Sequence, residues 1–412
     1  MLNPKLLELI FSASSIQRWN DYPRMVELVE LDKQAHKFII AFLLGKIEAS
    51  QGKHIDFSAL IEAGVFEFLR RVIVTDIRPD VFRIILKEKK QELNSWVLEQ
   101  LEPYLKDIEE GDFLERFKNF LDDENIYKKE RFILQASSYL ATRWEFSIIY
   151  QTSRFLSDIE NVKNAVEEEI EDYFELLGVR KIALQQKLSK FLDLSGRLRF
   201  QKRWAQTPRI PETSVLGHML VVSLFSYFYS LKIKASPKRL QNNFFTALFH
   251  DLPEALTRDI ITPVKYSVTG LDEIISNYEV KMINEEIIPL IPKDLVDEFS
   301  YLLGLYDGKK DEFLDKTYQN SIKVVENLDL YNEDKYNVID GKALKMCDRF
   351  AAYMEASLSI YHGVKSNELI SGKKQIYEKI KEKPIVNGVN FGKFIDNVEE
   401  YLKNSSQDYC GT

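Results

Sequence analysis

The chain predicts an all-α protein of two helical domains, and three observations carry that prediction. Apolar residues recur at three- and four-residue spacing almost throughout, as in 81–87 and 162–177. Alternating runs of the β type between turn signals are scarce. The length, 412 residues of which 45% are hydrophobic and 29% charged, exceeds one ordinary core.

In chain order, the first residues lack a basic segment ahead of a clean apolar stretch, so no secretory signal is expected. The apolar run 38–45 falls far short of the ~20 residues of a membrane span. The acidic run 167–172 reads as a solvated helix face. The domain boundary is placed ahead of Leu194-Ser-Gly-Arg197, giving domains 1–185 and 186–412. Ser236-Pro237 reads as an N-cap followed by proline at the first helical position. The helix it opens runs through Phe244, Phe245, Leu248 and Phe249 to His250.

Composition narrows the function. The net charge is −8 and the pI about 5.5, which disfavours a broad nucleic-acid surface but leaves room for a small phosphorylated substrate. Two cysteines, Cys347 and Cys410, make neither a disulfide framework nor a thiolate zinc site, and a reducing, cytoplasmic setting is expected.

The chemistry concentrates in 249–265. His250 and Asp251 stand side by side at the end of an apolar helix; His218 lies on another apolar stretch, and Asp348 on a third, 343–353. A carboxylate amid Leu, Met, Cys, Phe and Ala is costly unless paired or metal-bound. Converged, these four would hold one divalent cation. Nitrogen and oxygen donors without thiolates suit Mn, Co, Fe, Ni, Mg or Zn in an open site. Glu254, one turn past His250, would point to the same place if the helix persists and could orient water or pass a proton. Arg203 could grip a phosphate through its fork of donors, and Trp204 could pack on a sugar or base. Asp259 could bind a sugar hydroxyl and Lys265 a phosphate. The plainer readings are an Arg-Trp packing pair, a turn aspartate and a solvated lysine.

The halves also resemble each other. Ile16-Gln-Arg-Trp-Asn-Asp21 is similar to Phe200-Gln-Lys-Arg-Trp-Ala205. In this register His36 answers His218, Glu67-Phe68 answers His250-Asp251, Arg71 answers Glu254, and Ser137 answers Asp348. A copy with phenylalanine in place of a ligand has lost the cation site.

His218, His250-Asp251 and Asp348 form the H…HD…D signature of the HD-domain metal-dependent phosphohydrolases. Arg203-Trp204, its spacing to His218, and the pattern of 250–266 resemble the YfbR-type bacterial 5′-deoxynucleotidases. The resemblance covers about 200–380. It implies an HD-domain helical bundle, here as two tandem HD-like domains with the first degenerate. It implies metal ligation by His218, His250, Asp251 and Asp348, and water or proton handling by Glu254. It also implies phosphate and sugar contacts from Arg203 and Trp204, and deoxyribose recognition by Asp259. The family commonly has Glu just before the first histidine. Gly217 stands there instead, with Met219 following, which leaves His218 without that supporting carboxylate.

The expected function is a metal-dependent phosphomonoesterase acting on (deoxy)nucleoside 5′-monophosphates. The alternatives are another phosphate ester (a nucleoside triphosphate, a diester or a sugar phosphate) or a nucleotide-binding regulator. The expected partner is a small nucleotide, with no nucleic acid and no membrane. The assembly is either a homodimer or a pseudodimer within one chain.

Overall fold

The structure, a computed structural model, describes residues 3–258 and 268–408; Asp259 and Lys265 lie outside the described residues. It is helical nearly throughout, as the spacing of apolar residues requires. Two compact units meet in sequence at Gly196 and Arg197. That is later than the 185/186 boundary read from the sequence, because the helix Lys187–Gly196 packs on the first unit's helix Glu30–Ser50 and buries Leu188 and Phe191. Gly196 is required there: a Cβ would meet the Trp144 ring at 2.8 Å.

In the first unit, Glu30–Ser50 is the central helix, flanked by Phe57–Val74 and Lys128–Ser153. It is buried on every face from Glu30 to Glu48, charged residues included. The second unit is built likewise around Val215–Lys232, which packs on Pro237–Phe249 and on Gly341–Tyr361. Asn367–Glu382 and Phe391–Asp408 pack on the latter. Val215–Lys232 is long and apolar enough to cross a membrane by length and composition, and 89% of it is buried inside the protein.

The helix Pro237–Phe249 starts where the Ser-Pro pair placed it and ends at His250. Its capping hydrogen bonds come from elsewhere. The Ser236 side chain makes no cap bond; Asn332 Oδ1 accepts from Ser236 N at 2.9 Å and Asp334 Oδ1 from Lys238 N at 2.8 Å.

The helical pattern breaks between 303 and 340. There Asp315–Tyr318 pairs antiparallel with Ile322–Val324 on one side and Ile339–Asp340 on the other. Gly341 opens the next helix hard against this sheet, where a Cβ would lie 2.3 Å from Leu314 O. The fully buried Asp340 carboxylate fastens the junction. It accepts from Arg239 Nε at 2.7 Å, Asn243 Nδ2 at 2.7 Å, Asn387 Nδ2 at 3.0 Å and Tyr229 Oη at 3.2 Å.

The two units repeat one local backbone path. Arg18 N donates to Leu28 O at 2.8 Å, and Arg203 N to Thr213 O at 2.9 Å. Glu30 N donates to Ile16 O at 2.9 Å, and Val215 N to Gln201 O at 2.8 Å. The isolated bridges Gln17–Val29 and Lys202–Ser214 keep the same offset of 185 positions, as 203 is from 18. Trp19 and Trp204 both take left-handed backbone, with φ of 56° and 57°. This corrects the register read from the sequence. The offset places Lys33, not His36, at the position of His218. His36 instead turns its Nε2 to Leu192 O at 3.0 Å and its ring to Trp144. A helix buried on all faces offers no polar stripe to fix register, so a slip of one turn still matches many apolar positions.

Removing the buried Asp340 carboxylate leaves Arg239 uncompensated. Asp340→Ala is expected to cost the second unit about 3–5 kcal/mol; an unshifted urea midpoint would show the network to be dispensable.

Candidate metal centre

The central and flanking helices of the second unit bring the site together. Ser214 Oγ caps Val215–Lys232 by accepting from Gly217 N at 2.9 Å, and His218 sits in the first turn, fully buried. His250 ends its helix, and Asp251 begins the turn that leads to the short helix Glu254–Thr257. That break in the helix lets adjacent side chains converge. Ligand atoms of His218, His250 and Asp251 lie within 4.8 Å of one another, and Asp348 Oδ1 is 3.0 Å from His218 Nε2.

The tautomers decide what the cluster can hold. His250 Nδ1 donates to Ala247 O at 2.7 Å, and His218 Nδ1 donates to Glu355 Oε1 at 3.2 Å. With both Nδ1 atoms protonated, each neutral ring presents an Nε2 lone pair to a carboxylate oxygen. His250 Nε2 is buried, 3.1 Å from Asp251 Oδ2, and makes no hydrogen bond. Two lone pairs against two carboxylates repel unless a cation or a proton lies between them. These donors therefore fit a divalent ion.

Without an ion, protons must serve. Burial and Arg203 pull the His218 pKa down, but Glu355 and Asp348 outweigh them and raise it to about 9. For His250, burial opposes the charged form, yet Asp251 and Asp348 raise the pKa. Asp251 and Asp348 are held below the usual carboxylate range: burial alone would raise them, and the neighbouring histidines reverse that.

Around this centre Glu254 is buried, its amide donating to Asp251 O at 3.0 Å. Arg203 Nη1 stands 3.9 Å from Asp251 Oδ2. Trp204, expected as a stacking surface, is held by its indole N–H. That group donates to Glu355 Oε2 at 3.0 Å, and the ring lies where a Cβ on Gly372 would meet it at 2.7 Å.

Two residues escaped the sequence reading. Glu355, buried, accepts from His218, from Trp204 and from Thr213 Oγ1 at 2.8 Å. It supplies the supporting carboxylate whose absence Gly217 implied. Its position seven residues after Asp348, two turns along the same helix face, was the available signal. Lys310, from the hairpin Leu305–Tyr306 with Lys309–Lys310, donates to His250 O at 3.0 Å and pairs with Glu312 and Glu279. Nothing in its sequence context marks that reach.

The family model described as an HD domain matches residues 195–377. Residues 195–377 are an HD domain. The same part of the chain is similar to curated 5′-deoxynucleotidases. It is 27% identical over 130 residues to the one from Cronobacter sakazakii, covering 30% of this chain and 63% of that protein. It is 24% identical over 132 residues to the one from Photobacterium profundum, covering 31% and 66%. The chain thus spans just under two thirds of these relatives' length. Among solved structures, an HD-domain phosphohydrolase from Listeria innocua matches at 19% identity and a TM-score of 0.37, covering 54% of this chain and 98% of that one.

Two measurements probe the HD centre. Because the His218 pKa is raised from 6.5 to about 9, the stability it contributes without metal is complete below pH ~6.5 and lost as pH rises through 9. The metal-free melting temperature should fall across that interval. The increment added by Mn²⁺, which needs neutral imidazoles, should grow across it; parallel curves with and without Mn²⁺ would refute the assignment. Glu355→Gln should weaken Mn²⁺ binding roughly 10–100-fold by titration calorimetry.

Proposed function

We propose that the HD domain is a divalent-metal-dependent phosphomonoesterase that releases phosphate from nucleoside 5′-monophosphates, deoxyribonucleotides preferred. The observation that carries the reading is the pair of imidazole Nε2 lone pairs set against Asp251 and Asp348, with Arg203 beside them. The likeness to 5′-deoxynucleotidases supports the substrate class.

His218, His250, Asp251 and Asp348 would hold the ion, which supplies Lewis acidity toward water and a phosphoryl oxygen. Arg203, aimed over Asp251, presents its guanidinium to the equatorial phosphoryl oxygens, where charge develops during transfer. The Glu254 carboxylate, buried at the start of the short helix after the break that follows His250, orients the attacking water and takes or returns its proton. Glu355 and Trp204 keep the His218 ring in its ligating tautomer. Asp259 and Lys265, outside the described residues, remain the proposed sugar and phosphate contacts.

The test is phosphate release from a panel of deoxy- and ribonucleoside 5′-monophosphates with Mn²⁺, Co²⁺ or Mg²⁺. Asp251→Asn should lower kcat/KM by more than ~100-fold, beyond the loss of a supporting partner. Arg203→Ala should lower it by roughly 10²–10³-fold. No release from any nucleotide by protein shown to carry metal would overturn the reading; full activity in Asp251→Asn would overturn the metal assignment.

A further inference from the structure

The first unit repeats the HD entry path but inverts its charge. Trp19 Nε1 donates to the buried Glu145 Oε2 at 3.1 Å, as Trp204 does to Glu355. Glu145 and Glu355 are 210 positions apart, and that offset sets Ser138 opposite Asp348. The contact follows: Lys33 Nζ donates to Ser138 Oγ at 2.6 Å, where the second unit has His218 facing Asp348. An ammonium group therefore occupies the place of a metal-ligating imidazole.

The surroundings agree. Lys37, buried one turn beyond Lys33, is ion-paired with Glu67. Arg71 Nε lies 3.3 Å from Glu30 Oε2, and Arg18 is pinned between Glu30 at 2.9 Å and Glu145 at 2.8 Å. Arg70 lies beside Glu67 and over the Phe82 ring. Five cations (Arg18, Lys33, Lys37, Arg70, Arg71) thus meet four carboxylates (Glu30, Glu67, Glu145, Asp76). In the second unit the balance is reversed: Arg203 and Arg209 stand among Asp251, Asp348 and Glu355, an excess of negative charge that a divalent ion would offset. Burial above all, with Arg18, Lys37 and Arg71 adding to it, lowers the Lys33 pKa to about 7 against the pull of Glu30. Glu67 and Arg71 are each 21% exposed, so the cluster reaches solvent.

We infer that the first unit is a metal-independent anion site that takes the phosphate group of a phosphate monoester, with Lys33, Lys37, Arg70 and Arg71 as its donors. Lysine and guanidinium groups stand where the second unit needs a cation to receive the same group. The inference rests on the first unit alone and holds whether or not the second hydrolyses nucleotides.

The experiment uses the full chain carrying Asp251→Asn, in chelator, with inorganic phosphate and dAMP as probes in titration calorimetry. Saturable binding without metal is expected. Lys33→Met and, separately, Arg70→Gln should each weaken it about tenfold or more, the loss of one charge-assisted contact. Arg70 is only half-buried, so its variant decides the matter if Lys33→Met fails to fold. Tighter binding of dAMP than phosphate supports a nucleotide as ligand; equal binding supports the phosphate group alone. No binding of either probe, or binding that neither substitution changes, overturns the proposal.

Discussion

A single buried carboxylate organises the HD centre. Glu355 accepts hydrogen bonds from His218, Trp204 and Thr213, groups that belong to one helix and the loop ahead of it. Buried so deeply, it must be compensated, and burial is outweighed by Arg209, His218 and Arg203, which hold it ionised well below the ordinary range. Its demand for donors sets the His218 tautomer, and that tautomer aims Nε2 at Asp348. Without this constraint two histidines in a helical core would be packing residues.

The same device recurs in the first unit with a different outcome. Glu145 gathers Arg18 and Trp19 much as Glu355 gathers its donors. Four backbone hydrogen bonds of the loop and helix start recur at the same offset of 185 positions. What differs is the charge brought to the centre: lysine instead of histidine, serine instead of aspartate. The scaffold holds side chains in place; their chemistry differs, imidazoles and carboxylates in one unit, lysines and arginines in the other.

The sequence is legible where chemistry is local. His250-Asp251, Glu254 and the helix from Pro237 are adjacent in the chain, and the structure brings His218 and Asp348 to them. It failed where the answer depended on register. His36 drew attention as a rare residue on an apolar helix, yet Lys33 holds the equivalent position. Lys310 was invisible because its partner is a main-chain carbonyl sixty residues away.

By itself the sequence determined the helical class and the residue types able to bind a metal. Periodicity and composition are properties of neighbouring residues, and a helix expresses them without help. Tertiary structure alone decided which carboxylate supports His218, how Trp204 is used, where the units divide and which residue answers His218 in the first unit. Each depends on distances between segments far apart in the chain, and in helices buried on every face the apolar pattern fits more than one register.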